Sequence, residues 1–257
     1  MLRRSFLTAI ATAPAALAVL IQAQAAPAPV RVAAASDLKF VLAELAQRYQ
    51  NETGQRLELN LGSSGQLTQQ IRQGLPVDLF MAADEDFVFQ LANAGLTRDR
   101  GVLYALGRIA AVVPAASTLT LDPALRSLRA AGSAISHFAI ANPAHAPYGR
   151  AARQALEGLG LWQWVEPKLV LGENIAQATQ FVTGGAAQAG ITALSLALAP
   201  EVARLARHVV LPASLHSPLR QRMVLLRSAS AQAADFYQFL QTAAARTVLR
   251  RHGFDFE

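Results

Sequence analysis

Short runs of hydrophobic residues alternate with longer amphipathic stretches from residue 30 to the end of the chain. Short apolar runs favour buried strands, whereas apolar positions that recur every three or four residues favour helices. The predicted strands are 30–34, 57–61, 77–82, 109–113, 138–141, 168–171, 189–192, 208–211 and 223–226. The predicted helices are 39–50, 66–73, 149–158, 174–183 and 231–250. This alternation predicts an α/β architecture with largely parallel sheets.

Small and polar residues follow four of the predicted strands, just before a helix begins. These junctions are Ala34-Ala35-Ser36-Asp37, Gly62-Ser63-Ser64-Gly65, 142–149 and Gly172-Glu173-Asn174-Ile175. Ligands of open α/β sheets bind beyond the carboxyl ends of the strands, and helix N-termini attract anions because their amides are unpaired. Serine and asparagine are also common N-caps, so a single junction of this kind is weak evidence for a ligand site. Four of them in one chain predict a cradle for an oxyanion.

Composition narrows the class of protein. With 53% hydrophobic and 16% charged residues, the chain is expected to fold around a sizeable core. The absence of cysteine excludes disulfides, zinc–cysteine sites, iron–sulfur clusters, thiol nucleophiles and a lipid-modified N-terminal cysteine. The formal net charge is +6, but the arginines are scattered, which argues against a nucleic-acid partner. The five histidines show no metal-ligand spacing.

The first 25 residues have the pattern of a secretory signal peptide. Arg3 and Arg4 precede a charge-free apolar run at 6–21, and positions 23–25 form a small-x-small cleavage motif. Pro14 and the shortness of the run argue against a membrane span. The paired arginines fit both the twin-arginine and the general secretory routes, so the export route stays open. We expect a mature protein that starts at residue 26 in a bacterial periplasm.

The chain resembles the periplasmic molybdate-binding proteins of ABC importers. The matching motifs lie in the family's order at 33–36, 62–65, 74–84, 142–149, 172–175 and 251–254. The resemblance implies a type II periplasmic-binding-protein fold, an α/β architecture in which mixed sheets flanked by helices form two lobes that close about a hinge. The implied lobes are 26–108 plus 213–257, and 109–212.

The resemblance also implies a ligand and its donors. Molybdate or tungstate would be held as an intact oxyanion, with no cofactor, no basic side chain and no bond between the protein and the metal. Ser36 and Ser64 would give hydroxyl and amide contacts from one lobe, and Tyr148 and Ile175 main-chain amides from the other. The amide of Asp37 is a further candidate. A monomeric binding protein would then deliver the anion to a membrane permease and its ATPase.

One position departs from the family pattern. Many members place a tyrosine hydroxyl on the anion where this chain has Ala193, whereas Tyr148 stands where those members have a small residue. Thr192 and Ser195 are the candidates to replace the missing donor. The donor set of this chain is therefore expected to be rearranged.

Asp37 leaves a second class of ligand open. A carboxylate that faces a molybdate or sulfate dianion repels it, whereas phosphate keeps a proton near neutral pH and can donate it to aspartate. In the alternative interpretation, which we favour, the carboxylate turns away and caps the helix that begins near Leu38. A phosphate-binding or sulfate-type oxyanion-binding protein is the alternative function.

Two further functions are weighed against the residues. Ser36-Asp37-Leu38-Lys39 fits the S-x-x-K pattern of some serine hydrolases, but the companion S-D-N and K-T-G elements are missing. A ferric-iron site of the same fold needs several tyrosinates or carboxylates, and the chain has only four tyrosines. We therefore expect a binding protein rather than an enzyme.

Overall fold

The computed structural model describes residues 28–257, and within them ten strands form two five-stranded sheets. The predicted signal peptide lies outside the described residues. In chain order the strands are β1 (Val30–Ala35), β2 (Leu57–Gly62), β3 (Leu79–Ala82), β4 (Val102–Gly107), β5 (Ile109–Pro114), β6 (Phe138–Ala141), β7 (Leu169–Gly172), β8 (Ala189–Ala193), β9 (Ala206–Val210) and β10 (Leu219–Leu225).

The helices fill the segments between the strands. They are α1 (Lys39–Thr53), α2 (Ser64–Arg72), α3 (Glu85–Asn93), α4 (Arg126–Ala130), α5 (Pro147–Gly158), α6 (Trp162–Val165), α7 (Ile175–Thr183), α8 (Leu194–Ala197), α9 (Pro200–Ala203), α10 (Ala231–Phe239) and α11 (Ala243–Arg251). Short 3-10 turns lie at Ser36–Leu38, Gly132–Ala134, Glu166–Lys168 and Ala213–Leu215. Among the described residues, no helix is both long and apolar enough to cross a membrane.

Both sheets are mixed, and they share one design. The first sheet has the order β2-β1-β3-β10-β4, and the second has the order β7-β6-β8-β5-β9. In each, three neighbouring strands are parallel and the remaining two pair antiparallel to their neighbours. The chain passes to the second sheet between β4 and β5 and returns between β9 and β10, so the first sheet uses both ends of the described chain.

Helices cover the faces of the first sheet because successive strand residues point to opposite sides. Val32 and Ala34 of β1 pack with α1, α10 and α11 in one buried cluster, whereas Ala33 packs with α2 and α3 in another. The second sheet has its own core around Phe138 and Ile140, which α5 and α7 help to bury. Apolar burial on this scale is the main source of stability in such a domain.

The predicted strands and most predicted helices are found within a few residues of their expected bounds. The single helix predicted over 231–250 is wrong, because Thr242 interrupts it and caps α11 by accepting a hydrogen bond from the Ala245 amide at 3.2 Å. One strand, β4, was missed, and so were the helices α3, α4, α6, α8 and α9. β4 escaped notice because only Arg108 separates it from β5, which makes the two strands look like one apolar run.

Four parallel strands lead directly into helix starts, and these are the four junctions singled out in the sequence. β1 leads into the turn Ser36–Leu38 and α1, and β2 leads into α2. β6 and β7 of the second sheet lead into α5 and α7. The fold therefore directs four sets of first-turn amides toward the carboxyl ends of the parallel strands.

Candidate functional site

The four junctions meet around one small cavity. All five predicted site residues line it. The complete lining is Ala35, Ser36, Asp37, Gly62, Ser63, Ser64, Ala83, Ala146, Pro147, Tyr148 and Ile175. Residues that follow the first sheet therefore face residues that follow the second sheet across this cavity.

The hydroxyl groups of Ser36 and Ser64 are held by backbone amides. Ser36 Oγ accepts a hydrogen bond from the Ala176 amide at 3.2 Å, and Ser64 Oγ accepts one from the Ala83 amide at 3.0 Å. Neither hydroxyl donates a hydrogen bond to any residue of the described chain. Because a serine hydroxyl both accepts and donates, each keeps its proton available for an acceptor in the cavity.

Helix starts supply the main-chain donors from the other side. Asn174 caps α7 by accepting a hydrogen bond from the Gln177 amide at 3.1 Å, and Pro147 occupies the first turn of α5. The amides of Tyr148 and Ile175 lie in these first turns, where a helix offers no acceptor. Neither amide has an acceptor elsewhere in residues 28–257. Both therefore contribute the positive end of a helix to the cavity.

The cavity contains no basic side chain. Its only titratable lining residues are Asp37 and Tyr148. In the part of the chain that the structure describes, no group of three or more histidine, aspartate or glutamate side chains could hold a metal ion. The arrangement is therefore suited to holding an anion with uncharged donors.

The side chain of Asp37 is buried in a hydrogen-bonded network. Its Oδ2 accepts hydrogen bonds from Gln221 Nε2 at 2.6 Å and from the Tyr148 hydroxyl at 3.0 Å. Gln221 Oε1 in turn accepts a hydrogen bond from the Tyr104 hydroxyl at 2.6 Å. No side chain caps the turn Ser36–Leu38 or α1. The helix-capping interpretation of Asp37 is therefore wrong, because the buried network holds the carboxyl instead.

Burial raises the pKa of Asp37 from 3.8 to about 7, although hydrogen bonds from Gln221 and Tyr148 and the nearby amides of Asp37 and Leu38 act in the opposite direction. Burial, with the Asp37 charge adding to it, also holds the pKa values of Tyr148 and Tyr104 well above 10.0. Both phenols therefore remain donors at neutral pH. Of the two titratable residues in the lining, Asp37 is therefore the one that changes its charge near neutrality.

Relative to Asp37→Asn, we expect the ligand-free wild type to lose stability as the pH rises from about 4 to about 8. Between 3.8 and about 7 the folded state holds a proton at Asp37 that the unfolded chain has released, so stability falls with rising pH. Above the folded-state pKa, the pH-dependent loss in the free energy of unfolding is expected to be larger in the wild type than in Asp37→Asn by about 4 kcal/mol. Urea unfolding of both proteins at several pH values measures this difference. If the free energy of unfolding changes with pH in the same way in both, the raised pKa of Asp37 is contradicted.

Direct contacts also join the junctions of the first sheet to those of the second. The Gly65 amide donates to the His145 carbonyl at 3.0 Å, and Ser63 Oγ lies 2.8 Å from His145 Nδ1. Nearby, Gln66 Nε2 donates to Glu173 Oε2 at 2.5 Å. A Cβ atom at position 65 would lie 2.6 Å from the His145 carbonyl oxygen, so this approach requires glycine.

Thr192 and Ser195 do not line the cavity. Thr192 is hydrogen-bonded to Thr179 in the core of the second sheet, and Ser195 Oγ donates to the Asp37 carbonyl at 2.8 Å. Ala193 is also buried away from the lining. Neither hydroxyl therefore faces the cavity, so the prediction that one of them replaces the missing donor is not supported by this geometry.

Sequence reasoning missed Gln221, Tyr104 and His145. Gln221 had a detectable signal, because it stands between Leu219 and Met223 in an alternating strand and is as buried as they are. A buried amide needs hydrogen-bond partners, which points to a polar network. His145 had no such signal, since its contacts with Ser63 and Gly65 are with residues about 80 positions earlier in the chain.

Comparison with known proteins agrees with this geometry. Residues 30–255 match the family of bacterial extracellular solute-binding proteins. The molybdate-binding protein ModA of Rhodobacter capsulatus is 32% identical over 228 residues, which cover 88% of this chain and 87% of that protein. ModA of Azotobacter vinelandii is 32% identical over 228 residues, with 88% and 89% covered.

A solved structure extends the likeness to three dimensions. The periplasmic molybdate-binding protein of Azotobacter vinelandii superimposes with a TM-score of 0.81 at 28% identity, covering 89% of this chain and 99% of that one. The predicted resemblance and the predicted fold class are thereby confirmed. The chain belongs to the bacterial extracellular solute-binding proteins and has their type II periplasmic-binding fold.

Proposed function

We propose that this protein captures molybdate or tungstate in the cavity between its two sheets and delivers the anion to an ABC importer. The observation that carries the proposal is the lining itself, in which serine hydroxyls and helix-start amides converge and basic side chains are absent. The relatives named above as molybdate-binding proteins support the choice of anion.

In the proposed complex, Ser36 and Ser64 donate their hydroxyl protons, and the amides of Tyr148, Ile175 and Asp37 complete the donor set. The metal is bound only as its oxyanion, and no resident cofactor is needed. A hydrogen bond to a charged group contributes about 1.5–3 kcal/mol. Several such bonds together replace the hydration of the dianion without a counter-charge.

The positions of these donors in the fold favour a mechanism in which two lobes close around the anion. We assign residues 26–108 and 213–257 to the first lobe and residues 109–212 to the second. The strands of the two sheets separate along the chain in this way, since β1–β4 and β10 form one sheet and β5–β9 form the other. Ser36 and Ser64 follow strands of the first sheet, whereas Tyr148 and Ile175 begin helices that follow strands of the second. An anion held by both sets would stabilise the closed state.

The location and partners follow from the same proposal. One relative is itself described as periplasmic, and residues 1–25 have the pattern of an export signal. We propose that the mature protein acts in the periplasm as a monomer, without a lipid anchor. Its closed form would dock on a membrane permease that is driven by an ATPase.

Calorimetric titration of the purified mature chain tests the ligand. Molybdate and tungstate are expected to bind at about one anion per chain, since the lining forms one small cavity. Sulfate has the same charge but is smaller, so it leaves the donors too far apart for full contact, and phosphate is expected to bind weakly. A titration in excess sulfate serves as the control. Preference for sulfate or phosphate over molybdate would contradict the proposal.

A further inference from the structure

The two carboxyl oxygens of Asp37 have different surroundings. Oδ2 accepts the two side-chain hydrogen bonds that the carboxyl receives, from Gln221 and Tyr148. Oδ1 is buried and has no hydrogen-bond partner among the described residues. Asp37 also belongs to the lining of the anion cavity. A buried polar atom without a partner is costly, so Oδ1 is the one atom of this network that a ligand can satisfy.

The groups packed around Asp37 bring no positive charge to it. Tyr148 approaches from α5, Gln221 from β10 and Tyr104 from β4 through Gln221. Ser195 of α8 donates to its main-chain carbonyl. None of these groups is cationic. An ionised Asp37 would therefore face a bound dianion without a cationic side chain to offset either charge, and the repulsion would weaken binding.

We propose that Asp37 holds the captured oxyanion as a neutral carboxylic acid, donating a hydrogen bond from Oδ1, so that binding of a dianion is coupled to uptake of a proton. This inference rests on the proposed function, because it concerns the same cavity and the same ligand. The proton comes from solvent or buffer and remains on the protein while the anion is bound. No covalent bond of the ligand is broken or formed.

The chemistry of the carboxyl group makes this arrangement favourable. A protonated carboxyl has one O–H donor, whereas an ionised carboxylate can only accept. Since burial brings the pKa of Asp37 to about 7, the acid form is well populated at neutral pH. A dianion beside the group raises that pKa further, because like charges disfavour ionisation. Asp37 thus becomes an additional donor and a determinant of which anions are accepted.

The coupling predicts a characteristic pH dependence. Below the pKa of about 7 Asp37 already carries its proton, so the affinity for molybdate is expected to stay nearly constant. Above it, each complex must take up one proton, and the dissociation constant rises by up to about tenfold per pH unit. Molybdate itself stays fully deprotonated over this range, so its own titration does not contribute.

Calorimetric titration of the mature chain with sodium molybdate tests the inference at about pH 6, 7 and 8.5. Two buffers with different ionisation enthalpies at each pH give the number of protons taken up. For the wild type we expect about one proton per anion at the highest pH and about none at the lowest. For Asp37→Asn, whose amide cannot titrate, we expect neither proton uptake nor a pH-dependent affinity. A flat wild-type profile, or an unchanged slope in Asp37→Asn, would overturn the inference.

Two further measurements keep the outcomes separate. Ser36→Ala should bind more weakly than the wild type while keeping its pH slope, because it retains Asp37. If the wild type fails to bind molybdate even at about pH 6, the proposed function is wrong. If it binds at that pH but exchanges no protons at about pH 8.5, only the role of Asp37 is wrong. Should Asp37→Asn fail to fold, the proton count of the wild type decides alone.

Discussion

Replacing Ser36 and Ser64 together with alanine is expected to weaken molybdate binding by about two to four orders of magnitude. Ser36 Oγ accepts a hydrogen bond from the Ala176 amide and Ser64 Oγ accepts one from the Ala83 amide, so the proton of each hydroxyl is left for the ligand. Each is expected to donate one charge-assisted hydrogen bond of about 1.5–3 kcal/mol. Each single variant should lose about ten- to hundredfold in affinity.

Calorimetry of the two single variants and the double variant measures this loss. Urea unfolding of the ligand-free proteins shows how much of it is structural, because each alanine also leaves a backbone amide without its acceptor. Ser230→Ala is the matched control. Ser230 caps α10 by accepting from the Ala233 amide at 3.1 Å, outside the anion cavity. It should lower stability by about 1 kcal/mol and leave the dissociation constant unchanged. Double-variant binding as tight as wild type would exclude both hydroxyls from the site.

The grouping of Ser36 with Ser64, and of Tyr148 with Ile175, could be anticipated from the sequence, because each residue stands at a strand-to-helix junction and the carboxyl ends of parallel strands share an edge. The meeting of the two pairs at one cavity was implied only by the family resemblance, since the pairs follow strands of different sheets. Hydrophobic periodicity is local, so it indicated the strands that parallel pairing requires. What it did not give is the pairing of β10, which makes the first sheet mixed.

The orientation of Asp37 could not be predicted in the same way. Its decisive partners, Gln221 and Tyr148, lie 184 and 111 residues further along the chain. An aspartate at the start of a helix has an ordinary local use as a cap, and that expectation was overridden by a distant network. The contact between His145 and Gly65 could not be predicted from local sequence either, because it depends on how the two sheets face each other.

Gly65→Ala is expected to weaken molybdate binding by tenfold or more, although position 65 carries no proposed donor side chain. The added Cβ would meet the His145 carbonyl oxygen at 2.6 Å and the His145 Cβ at 3.0 Å. The two junctions must then move apart, which lengthens the amide-to-carbonyl hydrogen bond between Gly65 and His145. Ser64 and Tyr148 would separate with them, and an anion could not contact both sets of donors at once.

The fold itself should not suffer from this change. Gly65 lies in the first turn of α2, where alanine is intrinsically the better helix former by up to about 1 kcal/mol. Gly158→Ala supplies the matched control, because that glycine ends α5 and its added Cβ would have no neighbour closer than 3.8 Å. Calorimetry and ligand-free urea unfolding should show weaker binding with retained stability for Gly65→Ala, and unchanged binding for Gly158→Ala. If Gly65→Ala binds like the wild type, the close approach of the two junctions is not needed to hold the anion.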